Sequence, residues 1–177
     1  MTSAVKMPPR GFPETEYSHR LRRAHEFLHK QNLDALLLNT EVNIRYFTGF
    51  LTQFFQSPTR PWFLVVPKSG KPVAVIPAIG ATAMSRTWIE DIRTWPSPHL
   101  CDDGISLLAQ TLKEVGLKIA LPMGRESSLR MPLIDFARLR QRLNGVEFVD
   151  ASPIIQALRL IKSELEIGKN CQCLRLR

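Results

Sequence analysis

The feature that most constrains this chain is a short, unbroken apolar run. "LDALLLN", residues 33–39, places Leu33, Ala35, Leu36, Leu37 and Leu38 almost side by side. A strand with one wet face alternates apolar and polar residues. A run without alternation reads as a strand buried on both faces. Such a strand needs a sheet around it and helices above and below.

The flanking pattern supplies them. From Glu14 to Lys30 the residues Tyr17, Leu21, Ala24 and Leu28 recur on one face at the helical period. Asn39 or Thr40 is placed to cap a short helix over "EVNIRYF", which Gly49 ends. "PWFLVVP" (61–67) and "KPVAVIP" (71–77) read as a hairpin around a Ser-Gly turn. "AIGATAMSRTW" holds one or two helical turns, and "IEDIRTW" a strand. Ile105, Leu108, Leu112 and Val115 line one helical face, capped by Asp102 or Asp103 and stopped by Gly116. "KIALP" is a strand, "PLIDFARLRQRL" a helix closed by Asn144-Gly145, and "VEFVD" a strand. "SPIIQALRLI" is a helix with proline in its first turn. Strand and helix alternate, so the fold class is α/β: a single domain with a mixed β-sheet and helices on both faces.

At 177 residues the chain suits one domain. No apolar run approaches the ~20 residues of a membrane span, so no membrane contact is expected. The start carries no apolar core of the secretory kind. Three cysteines, Cys101, Cys171 and Cys173, make a disulfide framework unexpected and point to a reducing, cytoplasmic setting. The net charge of +8 raises the question of nucleic acid. The arginines, however, alternate with leucine at helical spacing, as on a solvated helix face, and no nucleic-acid motif accompanies them. No nucleic-acid partner is expected.

"HEFLH", His25 to His29, matches the metalloprotease pattern in which two histidines one turn apart share zinc and Glu26 acts as base. A third ligand is lacking, since Glu41 sits beyond a buried strand. The pair flanks the Leu21–Leu28 stripe and reads as a solvated helix flank. His99 reads as a loop residue. Asp102 and Asp103 read as a helix cap rather than a cation site. No catalytic residue and no metal ligand is assigned.

The order of elements adds a resemblance. "NIRYFTGF", the hairpin "WFLVVPKSGKPVAVIP" and the closing "LRLIKSELEI" stand in the order and separation seen in the N-terminal domain of the creatinase, prolidase and aminopeptidase P family. The likeness covers roughly residues 16–167. It implies a creatinase/prolidase N-terminal-like, ribonuclease H-like architecture. The division expected is an irregular arm over 1–13, the domain over 14–161, and a linker helix with an atypical tail over 162–177. The capping box Ser163-x-x-Glu166 would start that helix.

In this family the chemistry belongs to a second, C-terminal domain. There two aspartates, a histidine and two glutamates hold a divalent metal pair (Mn, Co or Zn), while creatinase works without metal. None of those ligands maps onto this chain, which is expected to be a piece of a longer protein, inactive alone. The resemblance implies a homodimer formed through this domain. It also implies a loop after "TGF" that closes the partner subunit's active site over a small peptide or amino-acid-like substrate. Here that loop is "LTQFFQSPTRPW". Phe54, Phe55 and Trp62 could wall off a small apolar group, and Arg60 could pair with a carboxylate. The parent is expected to be an Xaa-Pro peptidase. The alternatives are a creatinase-like hydrolase of non-peptide C–N bonds, or a free-standing ligand- or protein-binding domain of the same fold.

Overall fold

The computed structural model of the chain describes residues 10–57 and 60–175. Most of the expected arm, residues 1–9, lies outside the described residues. Six strands, β1 (Ala35–Leu38), β2 (Phe63–Pro67), β3 (Val73–Pro77), β4 (Asp91–Trp95), β5 (Lys118–Leu121) and β6 (Glu147–Asp150), form one mixed sheet in the order β4-β3-β2-β1-β5-β6. β1 runs antiparallel to β2, and β2 to β3. The pairs β1–β5, β3–β4 and β5–β6 are parallel.

The Ala-Leu-Leu-Leu run is β1, near the middle of the sheet, and all four residues are fully buried. Side chains alternate along a strand, so the run feeds two cores. Leu36 and Leu38 pack on one side of the sheet, with α1 (Glu14–Lys30), α2 (Glu41–Thr48) and α6 (Ser152–Leu160). Ala35 and Leu37 pack on the other side, with α4 (Ile105–Val115) and α5 (Leu133–Arg142). Truncating any of these leucines to alanine costs about 2–5 kcal/mol, the transfer term plus the cavity left behind. The edge strands β4 and β6 are mostly half-buried or exposed, as their mixed sequences require.

The helix ends refine the sequence reading. Thr40 is the N-cap of α2, but its side chain makes no capping hydrogen bond. Asp102, not Asp103, caps α4: its carboxylate accepts from the amides of Ile105 at 2.7 Å and Ser106 at 3.2 Å. A helical turn, α3 (Ala81–Met84), fills the segment after β3. The tail is helical as well: α7 runs Glu164–Arg175 and carries no buried residue among those described. Its capping box is formed, Glu166 accepting from Ser163 N–H at 2.9 Å and Ser163 Oγ accepting from Glu166 N–H at 3.2 Å. No helix among the described residues is long and apolar enough to cross a membrane.

Candidate functional site

The loop nominated from the sequence begins where α2 stops. Gly49 takes a left-handed conformation, φ +72°, which a side chain disfavours, and a Cβ there would meet Tyr17 Oη at 2.2 Å. The chain thus turns sharply beneath Tyr17. Ile44 and Phe47 are buried to 1% and 0% exposure and anchor the corner into the core. Thr52 Oγ1 then accepts from Phe54 N–H at 3.3 Å, and Gln53–Gln56 form a 3-10 turn.

Two of the four nominated residues are core residues. Trp62 is fully buried, its ring against the space that a Gly80 side chain would fill. Phe55 is 4% exposed. With Phe50 these rings form a triangle, centroids 5.4–5.9 Å apart, within the range of favourable aromatic packing. Phe55 and Trp62 present no wall to solvent, because their rings pack on each other and on Phe50 within the core. Phe54 and Arg60 are different. Phe54 is half-buried against the same core and keeps an outer face. Arg60 is half-buried, and its charge opposes the rise in the Asp103 carboxyl pKa that burial and nearby Asp135 produce.

One residue of this site carried no signal in the sequence. Arg130, between β5 and α5, donates through Nη2 to the carbonyls of Phe55 and Ser57. Its guanidinium lies 5.7 Å from the Phe55 ring centroid. Burial pushes its pKa below the ordinary arginine value, partly offset by Glu41. A guanidinium thus fixes the backbone of the loop from 75 residues away. The contact exists only because the β5–α5 connection folds back over the loop.

The HExxH pair is placed on α1 as the spacing required, yet the two histidines differ. His29 is exposed, whereas His25 is half-buried with Nε2 unpartnered. Burial lowers the His25 pKa, and His29 lowers it further. The flank is therefore only half solvated, because the backbone of Pro67 and Gly70 lies against His25. Among the described residues no group of three or more His, Cys, Asp or Glu is placed to hold a metal ion. Cys101 and Cys171 are free and exposed.

Comparison with known proteins agrees with this architecture. The family model of the Creatinase/Prolidase N-terminal domain matches residues 20–161. An uncharacterised hydrolase/peptidase of Sinorhizobium fredii, y4tM, is 28% identical over 164 residues, which is 89% of this chain and 41% of that protein. Dipeptidase PepE of Mycobacterium ulcerans is 26% identical with a TM-score of 0.69, covering 89% of this chain and 40% of its own. The prolidase of Thermococcus sibiricus superposes with a TM-score of 0.71 at 21% identity, covering 86% and 39%. The Creatinase/Prolidase N-terminal domain of an X-Pro dipeptidase from Streptococcus pyogenes has a TM-score of 0.62 at 18% identity, covering 78% of this chain and 98% of that one. The chain thus spans about two-fifths of its full-length relatives and matches an isolated N-terminal domain almost end to end. With most of its length matched by the family model, the chain belongs to the creatinase/prolidase N-terminal domain family.

Proposed function

We propose that this domain is the non-catalytic N-terminal part of a pita-bread metallohydrolase acting on Xaa-Pro or similar small peptides. In that reading it pairs two subunits and presents the loop 50–62 to the partner's active site. The observation that carries the reading is the pattern of coverage. The match fills about 40% of full-length peptidase relatives and 98% of a solved dipeptidase N-terminal domain. The divalent metal pair belongs, in this reading, to a catalytic domain outside this sequence.

Of the four nominated residues, Phe54 and Arg60 have surface to offer a substrate, and Arg60 supplies the charge for a carboxylate. Phe55 and Trp62 act from beneath, as the rigid base of the loop. Two measurements test the proposal. The 177-residue chain with Mn²⁺ should cleave no Xaa-Pro dipeptide, and light scattering should give about twice its 20.2 kDa mass. Metal-dependent cleavage by this chain, or a strict monomer at high concentration, would refute it.

A further inference from the structure

β1 and β5 are parallel neighbours whose chains leave in opposite directions. After β1 the chain enters α2 on one face of the sheet; after β5 it runs through the loop 122–132 to α5 on the other. Divergent connections open a crevice at the carboxyl ends of the two strands, the place where open α/β sheets accept ligands. A cavity of about 230 Å³ occupies that place, lined by Thr40, Asn43, Arg125, Ser127, Ser152 and Arg159 among others.

Four observations give the crevice a chemical preference. The first is unpaired donors. Thr40 Oγ1 is buried with no hydrogen-bond partner, and neighbouring Asn39, 3% exposed, has an unpartnered Nδ2. Buried polar groups are almost always paired, so the orphan Thr40 hydroxyl, which lines the cavity, calls for an acceptor from outside the chain.

Second, two helices begin here. The first intrahelical bonds run from Ile44 N–H to the Thr40 carbonyl and from Ile155 N–H to the Ala151 carbonyl. The open N-terminal end of α2 therefore faces this end of the sheet and favours negative charge, whereas at α6 the Ser152 N–H is already bonded to Asp150 and Pro153 has no N–H. Third, the lining holds two arginines, Arg125 and Arg159, against one acid, Glu126. The carboxylate of Asp150, nearby, is already engaged: its Oδ1 accepts from Met123 N–H, Ser152 N–H and Ser152 Oγ–H. Fourth, Glu126 takes a left-handed backbone, φ +62°, uncommon for a residue with a side chain. Such outliers concentrate where loops are shaped for binding.

We propose that this crevice binds a small oxyanion, a carboxylate or a phosphate. Thr40 and the α2 amides donate from one wall, and Arg159 supplies charge from the rim. This site is separate from the loop 50–62 and stands independently of the activity proposed above.

The test is an NMR titration of the ¹⁵N-labelled chain with sodium phosphate and sodium acetate, at constant ionic strength against sodium chloride. Saturable shifts are expected at residues 40–43, Ser127 and Ser152, half-complete on the order of a millimolar. A larger response to phosphate assigns a phosphate group, and a larger one to acetate assigns a carboxylate.

Thr40→Val removes an unpaired hydroxyl. It should raise the Tm of the unliganded protein while weakening binding about tenfold or more. Arg159→Gln should weaken binding similarly and lower the unliganded Tm only slightly, through loss of the long 3.4 Å bond to Asn43 Oδ1. Three outcomes would overturn the proposal: shifts that do not saturate or that spread over the exposed arginines of this +8 chain; saturable shifts that survive both variants; or a lower Tm in unliganded Thr40→Val, which would give the hydroxyl a partner of its own.

Discussion

Glu166 of α7 stands 3.2 Å from the Nη2 of Arg20 on α1, an ion pair made with the oxygen that is not used in the capping box. Arg20 itself is 3% exposed. It bonds Glu16 through Nε at 2.9 Å and the Tyr46 carbonyl through Nη1 at 2.6 Å. One buried guanidinium therefore ties α1, α2 and the exposed helix α7 together. The ion pair to Glu166 lacks hydrogen-bond alignment, so the two shorter bonds carry most of the order. Removing Arg20 strands a buried carboxylate and a buried carbonyl. Arg20→Met should cost about 3–5 kcal/mol in urea unfolding, as breaking a buried pair does. Glu166→Ala should cost only about 1 kcal/mol, the value of a lost cap, and speed amide exchange selectively at residues 163–167.

Arg130 sets the conformation of the loop 53–57 through its two carbonyl acceptors. Arg130→Met keeps most of the side-chain volume and removes both hydrogen bonds. Global stability should fall by about 1–3 kcal/mol. Amide exchange at Phe54, Phe55 and Ser57 should accelerate by more than the global loss accounts for. Equal acceleration across the domain would show that the loop is held by its aromatic core instead.

Acid unfolding has a named source in Asp34. The Lys68 ammonium, 2.7 Å away, and the amides of Lys118 and Leu117 lower its pKa from 3.8 to about 2. A carboxyl with a depressed folded pKa stabilises fully above its unfolded value and loses that contribution as pH falls. The window is therefore pH 4 down to pH 2. The side chain is 20% exposed and its Lys68 partner 46%, so solvent screening limits the contribution to about 1 kcal/mol. Asp34→Asn should be less stable at pH 6, and its stability should vary less between pH 4 and pH 2.

His25 acts in the same direction at higher pH. Its folded pKa lies below 6.5, so its contribution is present above that value and declines as pH falls past it. His25→Gln should flatten the stability curve as pH falls below about 6.5. A pH profile identical to the parent's would remove His25 from the account.

Gly49 is the tightest point of the α2 corner. Gly49→Ala combines a left-handed backbone with a Cβ that would lie 2.2 Å from Tyr17 Oη. The conformational penalty of about 1 kcal/mol and overpacking of about 1–3 kcal/mol should add to roughly 2–4 kcal/mol, read as a lower Tm. Tyr17 Oη also accepts from Phe12 N–H at 3.0 Å, so exchange at Phe12 should quicken with it.

The elements and their class follow from local sequence patterns. Periodicity is a local property, so the Tyr17–Leu28 stripe, the unbroken Ala35–Leu38 run and the Ser-Gly hairpin could be read without knowing what they touch. Gly49 and the Ser163–Glu166 box were legible for the same reason: a turn or a cap uses residues adjacent in the chain.

Which polar groups find partners depends on segments far apart in the chain, and emerges only when those segments pack. Phe55 and Trp62, apolar residues in a mixed loop, carry no local mark separating a binding wall from a core. In the fold, Phe50 packs against both rings and Gly80 against Trp62, and both side chains are buried. Arg130 looks like any other arginine until the β5–α5 connection brings it to the carbonyls of Phe55 and Ser57. Thr40 looks like an ordinary helix cap until the fold leaves its hydroxyl buried and unpaired. Burial and pairing are sums over the whole chain, and no window of sequence contains them.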